Sequence, residues 1–385
     1  MDTRFMYNSI KDGVSCLSVV DGDNATVHPA FKDCDPTSSS SICFVSGASS
    51  YSGIGSQGDL LIAAQSKSAA IHVYQWHKPQ SHVLCRMQEM ITALQCDSGG
   101  TYLIGGTKKG WLYLWEIGTG KLLKFWQGHF KPVKVISFAY QDNFFVSSSE
   151  DGITKVWDIS DVLGGAGSIS ATGLGRSHVE AFRAFTHHAQ PITGMVTRDT
   201  GLSSKILSCS LDRTLVVQSL FSSKQVHRIM FSEPLESIAC NATCDLVFLG
   251  ASSGRIFMES LSASALLKMR GEGGDDGEKS VFLGHERAVT SLALTKNGKL
   301  LLSGSEDGSV RIWDVGTRQC LKVIQSARGA PVRALMAVES TDMDLNAPQK
   351  PSLVPVGHIR KIADTDAAAE SLAPALIGPA KRRRS

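Results

Sequence analysis

Three histidines carry the side chains best suited to acid–base or metal chemistry. His129, His188 and His285 precede Asp151, Asp212 and Asp307 by 22, 24 and 22 positions. An imidazole beside a carboxylate can be a general base held in one tautomer, or an oriented metal ligand. A nucleophile is on offer as well: Gly250-Ala251-Ser252-Ser253-Gly254 fits G-x-S-x-G, the hydrolase elbow that needs a strand-to-helix turn. Gly53-Ile54-Gly55-Ser56-Gln57-Gly58 fits G-x-G-x-x-G, which cradles phosphate only between a strand and a helix. Cys240 and Cys244 are the most closely spaced of nine cysteines, and no second Cys or His pair stands near to complete a zinc site. Four clustered cations, Lys381, Arg382, Arg383 and Arg384, could contact RNA phosphate or act as a nuclear-import signal. Asn24-Ala25-Thr26 and Asn241-Ala242-Thr243 match the glycosylation pattern, which matters only with a secretory signal.

What must position these residues is set first by composition. Of 385 residues, 42% are apolar and 19% charged, enough for a substantial core and incompatible with wholesale disorder. Lys plus Arg (39) nearly balances Asp plus Glu (36), and a net charge of +3 is too small for a DNA-coating surface. No window approaches about 18 consecutive apolar residues, so no membrane span is expected. The N-terminal MDTRFMYNSIKDG has no signal-peptide apolar block. The chain is expected on the cytosol/nucleus side. Nine scattered cysteines suggest no disulfide framework and read as buried small hydrophobes.

Internal repetition then decides the architecture. Residues 127–159 (QGHFKPVKVISFAYQDNFFVSSSEDGITKVWDI) and 283–315 (LGHERAVTSLALTKNGKLLLSGSEDGSVRIWDV) align without a gap. His129 to Trp157 and His285 to Trp313 are both 28 positions, with Gly before the His and Asp after the Trp. VISFA, FFVSSS and TKVWDI are strand-length, rich in β-branched and aromatic residues, and broken by turn residues. This Gly-His…Trp-Asp pattern is identified as the signature of the WD-repeat (WD40) family. Each unit then resembles four short strands, one blade of a β-propeller. One blade cannot bury both faces of its sheet, whereas a ring of blades can.

Degenerate copies extend the count. Trp115 is followed by Glu116; Asp212 is kept with Gln218 at the tryptophan position; Glu259 fills that slot in 250–261; and 63–76 ends a unit at Trp76. These make six units. Two strands after Trp313 and two at the N-terminus make a seventh, shared blade, which removes open sheet edges. The expected fold is therefore all-β: a seven-bladed WD40 β-propeller over 1–338, its last blade closed by strands from both chain ends. Residues 339–385 form a flexible Ala/Pro-containing tail with a basic end. The stretches 161–178 and 263–279 read as inserted loops.

The family resemblance changes what the conspicuous residues are for. It implies buried hydrogen-bond chains: His129 with Asp151 and Trp157, and His285 with Asp307 and Trp313. The serine is Ser147 or Ser149 in one blade, and Ser303 or Ser305 in the other. His188 and Asp212 stand at the corresponding positions of a third blade. A buried imidazole needs partners at both nitrogens, and an indole N–H needs an acceptor. One such site per blade cannot converge on one substrate. In the repeat register Ser252 falls in a strand-to-strand turn, and DLLIAA after Gly58 reads as a strand. No enzyme, metal or cofactor is expected.

A closer resemblance rests on LLIAAQSKSAAIHVYQW (60–76), THHAQPITGM and SCSLDRT (186–214), FLGASSGRIFMESL (248–261) and the regular last unit (284–315). The pattern of intact and eroded blades resembles the family of the WD-repeat subunit of the rixosome, the Rix/Ipi-type complex of large-subunit ribosome maturation. That resemblance implies a non-catalytic scaffold of the nucleus, nucleolus and nucleoplasm. It would join a helical-repeat partner, load on pre-60S particles and support rRNA spacer processing, with direct RNA contact open. The family usually ends in a charged, leucine-bearing helix; here an Ala-Pro stretch and KRRR stand instead. The alternative is a ubiquitin-ligase substrate receptor or histone-tail reader, though no ligase-docking segment is evident in the first 30 residues.

Overall fold

Strand-length runs of Val, Ile, Leu and aromatics, separated by Gly-, Asp- and Asn-bearing turns, pair locally into antiparallel hairpins. A computed structural model of the chain describes residues 3–11, 14–21, 27–45, 60–75, 80–164, 179–198, 201, 204–222, 225–261, 280–295, 297–326 and 329–339. Among these, 28 strands form seven four-stranded antiparallel sheets.

Six sheets are built from consecutive strands. They are β4–β7 (Ile42–Val45, Leu60–Ala64, Ala70–Gln75, Ser81–Arg86), β8–β11 (Ile91–Cys96, Tyr102–Thr107, Trp111–Glu116, Leu122–Gln127) and β12–β15 (Val133–Ala139, Phe144–Ser149, Thr154–Asp158, Arg183–Phe185). Then come β16–β19 (Ile192–Arg198, Lys205–Ser210, Thr214–Ser219, Gln225–Met230), β20–β23 (Leu235–Cys240, Leu246–Ala251, Ile256–Ser260, Ser280–Phe282) and β24–β27 (Val289–Leu294, Leu300–Ser305, Ser309–Asp314, Cys320–Gln325). The first strands touch from sheet to sheet: β4 on β8, β8 on β12, then β16, β20 and β24 in turn. They therefore line the axis of a seven-bladed propeller.

The seventh sheet has the order β28 (Leu335–Glu339), β1 (Thr3–Lys11), β2 (Val14–Asp21), β3 (Val27–Lys32). Both chain ends close the ring, but the division is three strands to one, not two to two. CLKVIQ (320–325), counted toward the shared blade in the sequence, completes its own sheet beside β26. VHPAFK (27–32) supplies the third N-terminal strand. Asn8 ties the ends together: its Oδ1 accepts from the amides of Arg333 (2.7 Å) and Ala334 (2.9 Å), and its Nδ2 donates to Pro331 O (3.3 Å).

The core lies between blades. Leu112, Trp126, Ile104 and Ala93 of one sheet pack with Val133, Ile136, Phe145 and Trp157 of the next. Middle strands β5, β6 and β13 are consequently buried at every residue, as sheets covered on both faces must be. Two expectations are corrected. The unit placed at Trp76 uses Tyr74 instead, since Tyr74 pairs with Leu61 as Trp157 pairs with Phe145 and Trp313 with Leu301; Trp76 itself lies outside the described residues. The insertion drawn from 161 begins with a helix, α1 (Ile159–Gly164), because Val162 joins the apolar cluster around Trp126 and Trp157. Residues 165–178 and 262–279, the segment 340–385 with Lys381–Arg384, Gly53–Gly58 and Asn24–Thr26 lie outside the described residues. No described helix is long and apolar enough to cross a membrane.

Candidate functional site

His129 lies in the β11–β12 connection, Ser147 within β13, Asp151 in the β13–β14 turn and Trp157 in β14. The hairpin register and the preceding loop bring all four together. His129 Nδ1 is 3.0 Å from Asp151 Oδ2 and its Nε2 is 2.8 Å from Ser147 Oγ, which accepts the Trp157 indole N–H at 2.9 Å. The donor inventory fixes the direction. An ionised carboxylate only accepts, so Nδ1 carries the proton and Nε2 accepts from the serine O–H. The chain therefore runs from indole to hydroxyl to imidazole to carboxylate. Asp151 also accepts from the amides of Ile153 (2.9 Å) and Phe130 (3.3 Å).

The second regular blade repeats this geometry. His285 contacts Asp307 (3.0 Å) and Ser303 (2.7 Å), and the Trp313 indole donates to Ser303 (2.8 Å). Ser149 and Ser305, the other serines considered, instead donate to Lys131 O and Arg287 O and accept from the amides of Asp151 and Asp307. They hold the turn rather than the imidazole. In the third blade His188 reaches Asp212 (3.0 Å) and Ser208 (2.9 Å). Ser208 was not singled out in the sequence, although Ser208-Cys-Ser-Leu-Asp212 matches Ser147-Ser-Ser-Glu-Asp151 in register. Gln218 replaces the indole, and its buried Oε1 has no partner among the described residues.

Burial holds the His188 and His285 imidazoles below their usual range, against the pull of Asp212 and Asp307. Burial pushes the carboxylates up. Hydrogen bonds outweigh it, from His129 and the amides for Asp151 and from Thr214, His188 and Ala189 for Asp212, and Asp307 is brought down to about 2. The His188–Asp212 and His285–Asp307 pairs are neutral imidazole on ionised carboxylate. The three imidazole side chains are 0, 2 and 0% exposed, each in its own sheet, so no substrate reaches two of them.

The other motifs sit where a propeller puts them. Ser252 is exposed in the β21–β22 turn, which joins two strands. Gly254 in that turn has φ +92°, and a Cβ there would meet His285 O at 2.3 Å; the glycine serves close packing against the next blade. Lys109 pairs with Glu89 at 2.9 Å on a solvated hairpin. Among the described residues no group of three or more His, Cys, Asp or Glu could hold a metal. The first strands enclose an axial cavity of about 240 Å³ whose walls include Gln95, Ser137, Glu236 and Ser291. Burial and the neighbouring Glu306 raise the Glu236 carboxyl above its usual range, against Lys134. Large apolar side chains stand exposed at the connections from outer to inner strands: Phe130 after His129, Met230 at the end of β19, and Leu283 before Gly284-His285.

The WD domain, G-beta repeat family matches residues 120–158 and 277–314. Over 283 residues the chain is 32% identical to Protein ROOT INITIATION DEFECTIVE 3 of Arabidopsis thaliana, covering 73% of this chain and 62% of that protein. It is 29% identical to WD repeat-containing protein 18 of Danio rerio, covering 75% and 65%. It is 25% identical to Pre-rRNA-processing protein IPI3 of Yarrowia lipolytica, covering 79% and 71%. The chain thus spans less than two thirds of the length of the first two. Two repeats matched to the family, seven blades of one topology and the recurring His-Ser-Asp node together make this chain a WD-repeat protein, with pre-rRNA-processing proteins and WD repeat-containing protein 18 among its homologues.

Proposed function

We propose that this chain is a non-catalytic scaffold of pre-60S ribosome biogenesis, a rixosome-type WD subunit that supports rRNA spacer processing in the nucleus, nucleolus and nucleoplasm. The carrying observation is similarity to pre-rRNA-processing proteins that runs through the propeller, at 79% of the chain for the yeast relative, rather than through a single repeat. The histidine nodes are assigned to holding blades together: they are buried, satisfied and dispersed. Residues 1–338 act as the propeller unit and 339–385 as an appended tail. Exposed Phe130, Met230 and Leu283 lie on equivalent connections of three blades and so favour one face of the ring for protein docking. A helical-repeat scaffold is the proposed partner there.

Affinity purification of the full chain with partner identification tests the assignment. Recovery of ribosome-maturation factors, with unprocessed spacer RNA accumulating on depletion, is expected; recovery of cullin-ligase subunits with normal rRNA would refute it. Lys381–Arg384 is proposed as the import signal. Deleting 381–385 should reduce nuclear accumulation and leave the melting temperature unchanged. Unaltered localisation would remove that role.

A further inference from the structure

The β20–β21 hairpin turn departs from its siblings in one chemically specific way. The β8–β9, β20–β21 and β24–β25 turns are closed by equivalent bonds: Gly100 N–H to Asp97 O (3.1 Å), Cys244 N–H to Asn241 O (3.1 Å) and Gly298 N–H to Thr295 O (2.8 Å). The fourth residue is left-handed in each, with φ +66° at Gly100, +70° at Gly298 and +58° at Cys244. Glycine adopts that conformation freely, and a residue with a Cβ does so against steric resistance. The side chain placed there is a thiol, and its Sγ lies 3.6 Å from Sγ of Cys240, the last residue of β20.

A second group converges from the neighbouring blade. Arg198, at the end of β16, donates Nε–H to Cys240 Sγ at 3.2 Å and Nη2–H to Cys240 O at 3.0 Å. The guanidinium is thus clamped against one sulfur at two points. Two other buried thiols, Cys34 and Cys209, show what burial without such a cation does: both are pushed up to about 12. Cys240 moves the opposite way, drawn down by the Cys244 thiol and by Arg198, while the same contact pushes Cys244 up.

We propose that Cys240 and Cys244 are a redox-active dithiol that closes reversibly to a disulfide, with Cys240 as the attacking sulfur. The co-reactant is a hydroperoxide-class oxidant. The Cys240 thiolate attacks the peroxide oxygen, the O–O bond breaks, and a proton completes the departing water. The Cys240 sulfenic acid is then attacked by Cys244 sulfur; the S–O bond breaks, the S–S bond forms, and the Cys244 proton leaves with the hydroxyl as a second water. Two thiols are oxidised by two electrons and the peroxide is reduced by two. Closure brings the sulfurs from 3.6 Å to roughly 2 Å. It also takes from Arg198 the anionic acceptor that joins β16 to β20, so oxidation acts on a contact between blades. Cys240 and Cys244 are buried, but Ala242 and Thr243 of the turn between them are exposed.

The test uses the full-length native protein. It is treated with hydrogen peroxide, alkylated and digested, and the peptide containing both cysteines is weighed. The expected result is loss of two hydrogens from that peptide, protection of both sulfurs from alkylation, and recovery with dithiothreitol. Arg198→Gln should slow closure at about pH 7 by about twofold if its loss raises by one pH unit a thiol that titrates at about 6, and by more beyond that. Cys244→Gly, which restores the residue of the sibling turns, should keep the fold and leave Cys240 as a dimedone-reactive sulfenic acid. If both sulfurs stay alkylatable after peroxide, or Cys240 oxidises without Cys244 joining it, the proposal is wrong.

Discussion

Ser303→Ala isolates what the buried node contributes. Ser303 Oγ is fully buried and makes two contacts at once: it accepts from the Trp313 indole at 2.8 Å and lies 2.7 Å from His285 Nε2, to which it donates. Alanine removes one oxygen and little volume, so packing is nearly conserved. What remains is an indole N–H and an imidazole nitrogen, both buried and without that partner. Each orphaned polar group costs roughly 1–3 kcal/mol, giving about 2–6 kcal/mol for the substitution. Ser208→Ala is the internal control. It orphans His188 Nε2, but Gln218 stands where the indole would be, so it should cost about 1–3 kcal/mol. A ring of seven blades need not unfold in one step, so the assay is native-state hydrogen exchange of amides in β25 and β26, compared with β17 and β18. At tenfold per 1.4 kcal/mol, Ser303→Ala should accelerate exchange in its own sheet by roughly 30-fold or more. Ser208→Ala should give a smaller factor in its sheet. Equal factors, or no acceleration with Ser303→Ala, would show that the node is not a buried hydrogen-bond chain.

Acidification should weaken the fold in two stages. His188 and His285 are held below their usual range by burial; their stabilisation is present above about pH 6.5, the unfolded value, and is lost as pH falls through the depressed folded values. Asp307 at about 2 in the folded chain lies below its unfolded value of about 3.9, so its contribution holds above about pH 4 and disappears toward pH 2. A melting temperature unchanged from about pH 7 to pH 4 would contradict the first stage. Gly254→Ala should lower stability by more than the ~1 kcal/mol of an ordinary glycine replacement, because the added carbon meets His285 O at 2.3 Å; Ser252→Ala, at an exposed position of the same turn, should leave stability unchanged, and calorimetry showing equal losses for the two would refute the packing role of Gly254. Asn8→Ala strands the amides of Arg333 and Ala334, at roughly 1–3 kcal/mol for each group that stays buried; exchange in β1 and β28 should rise, and unchanged exchange would mean that Asn8 does not latch the ring.

Much of the ring was legible because repetition carries its own register. Two units sharing a 28-residue His-to-Trp spacing locate strands, turns and buried nodes at once. Where the markers erode, the register comes from pairing that residue types do not reveal. Tyr74 and Trp76 stand two positions apart in the sequence, and by residue type either aromatic could fill the slot; the pairing of Leu61 with Tyr74 assigns it to Tyr74. Tyr74 is fully buried, and its Oη lies 3.0 and 3.1 Å from the carbonyls of Lys32 and Asp33, a link to the closing blade that no motif announces. The three-to-one closure was missed for a related reason. A fourth strand has no Trp-Asp marker, so CLKVIQ could be assigned to either blade until its pairing with β26 was seen.

The blade formed by β20–β23 shows how the fold tolerates loss of the node. It has Met230-Phe231 where the regular blades have Gly-His, Ser253 where they have Asp, and Glu259 in the tryptophan slot. Its compensation is apolar: Leu235, Leu249, Phe257 and Phe231 join one cluster with Leu207 and Leu215 of the preceding blade. Burial of this kind is non-directional. It fixes the sheet against its neighbour without requiring particular atoms at the turns. A blade held by shape rather than by a serine–histidine–aspartate chain is free to vary its turn chemistry. The left-handed Cys244, the paired thiols and the clamping Arg198 all fall on this blade or its boundary with β16. The loss of one polar network and the appearance of another are therefore linked by packing: the apolar cluster carries the cohesion and leaves the hairpin available for chemistry.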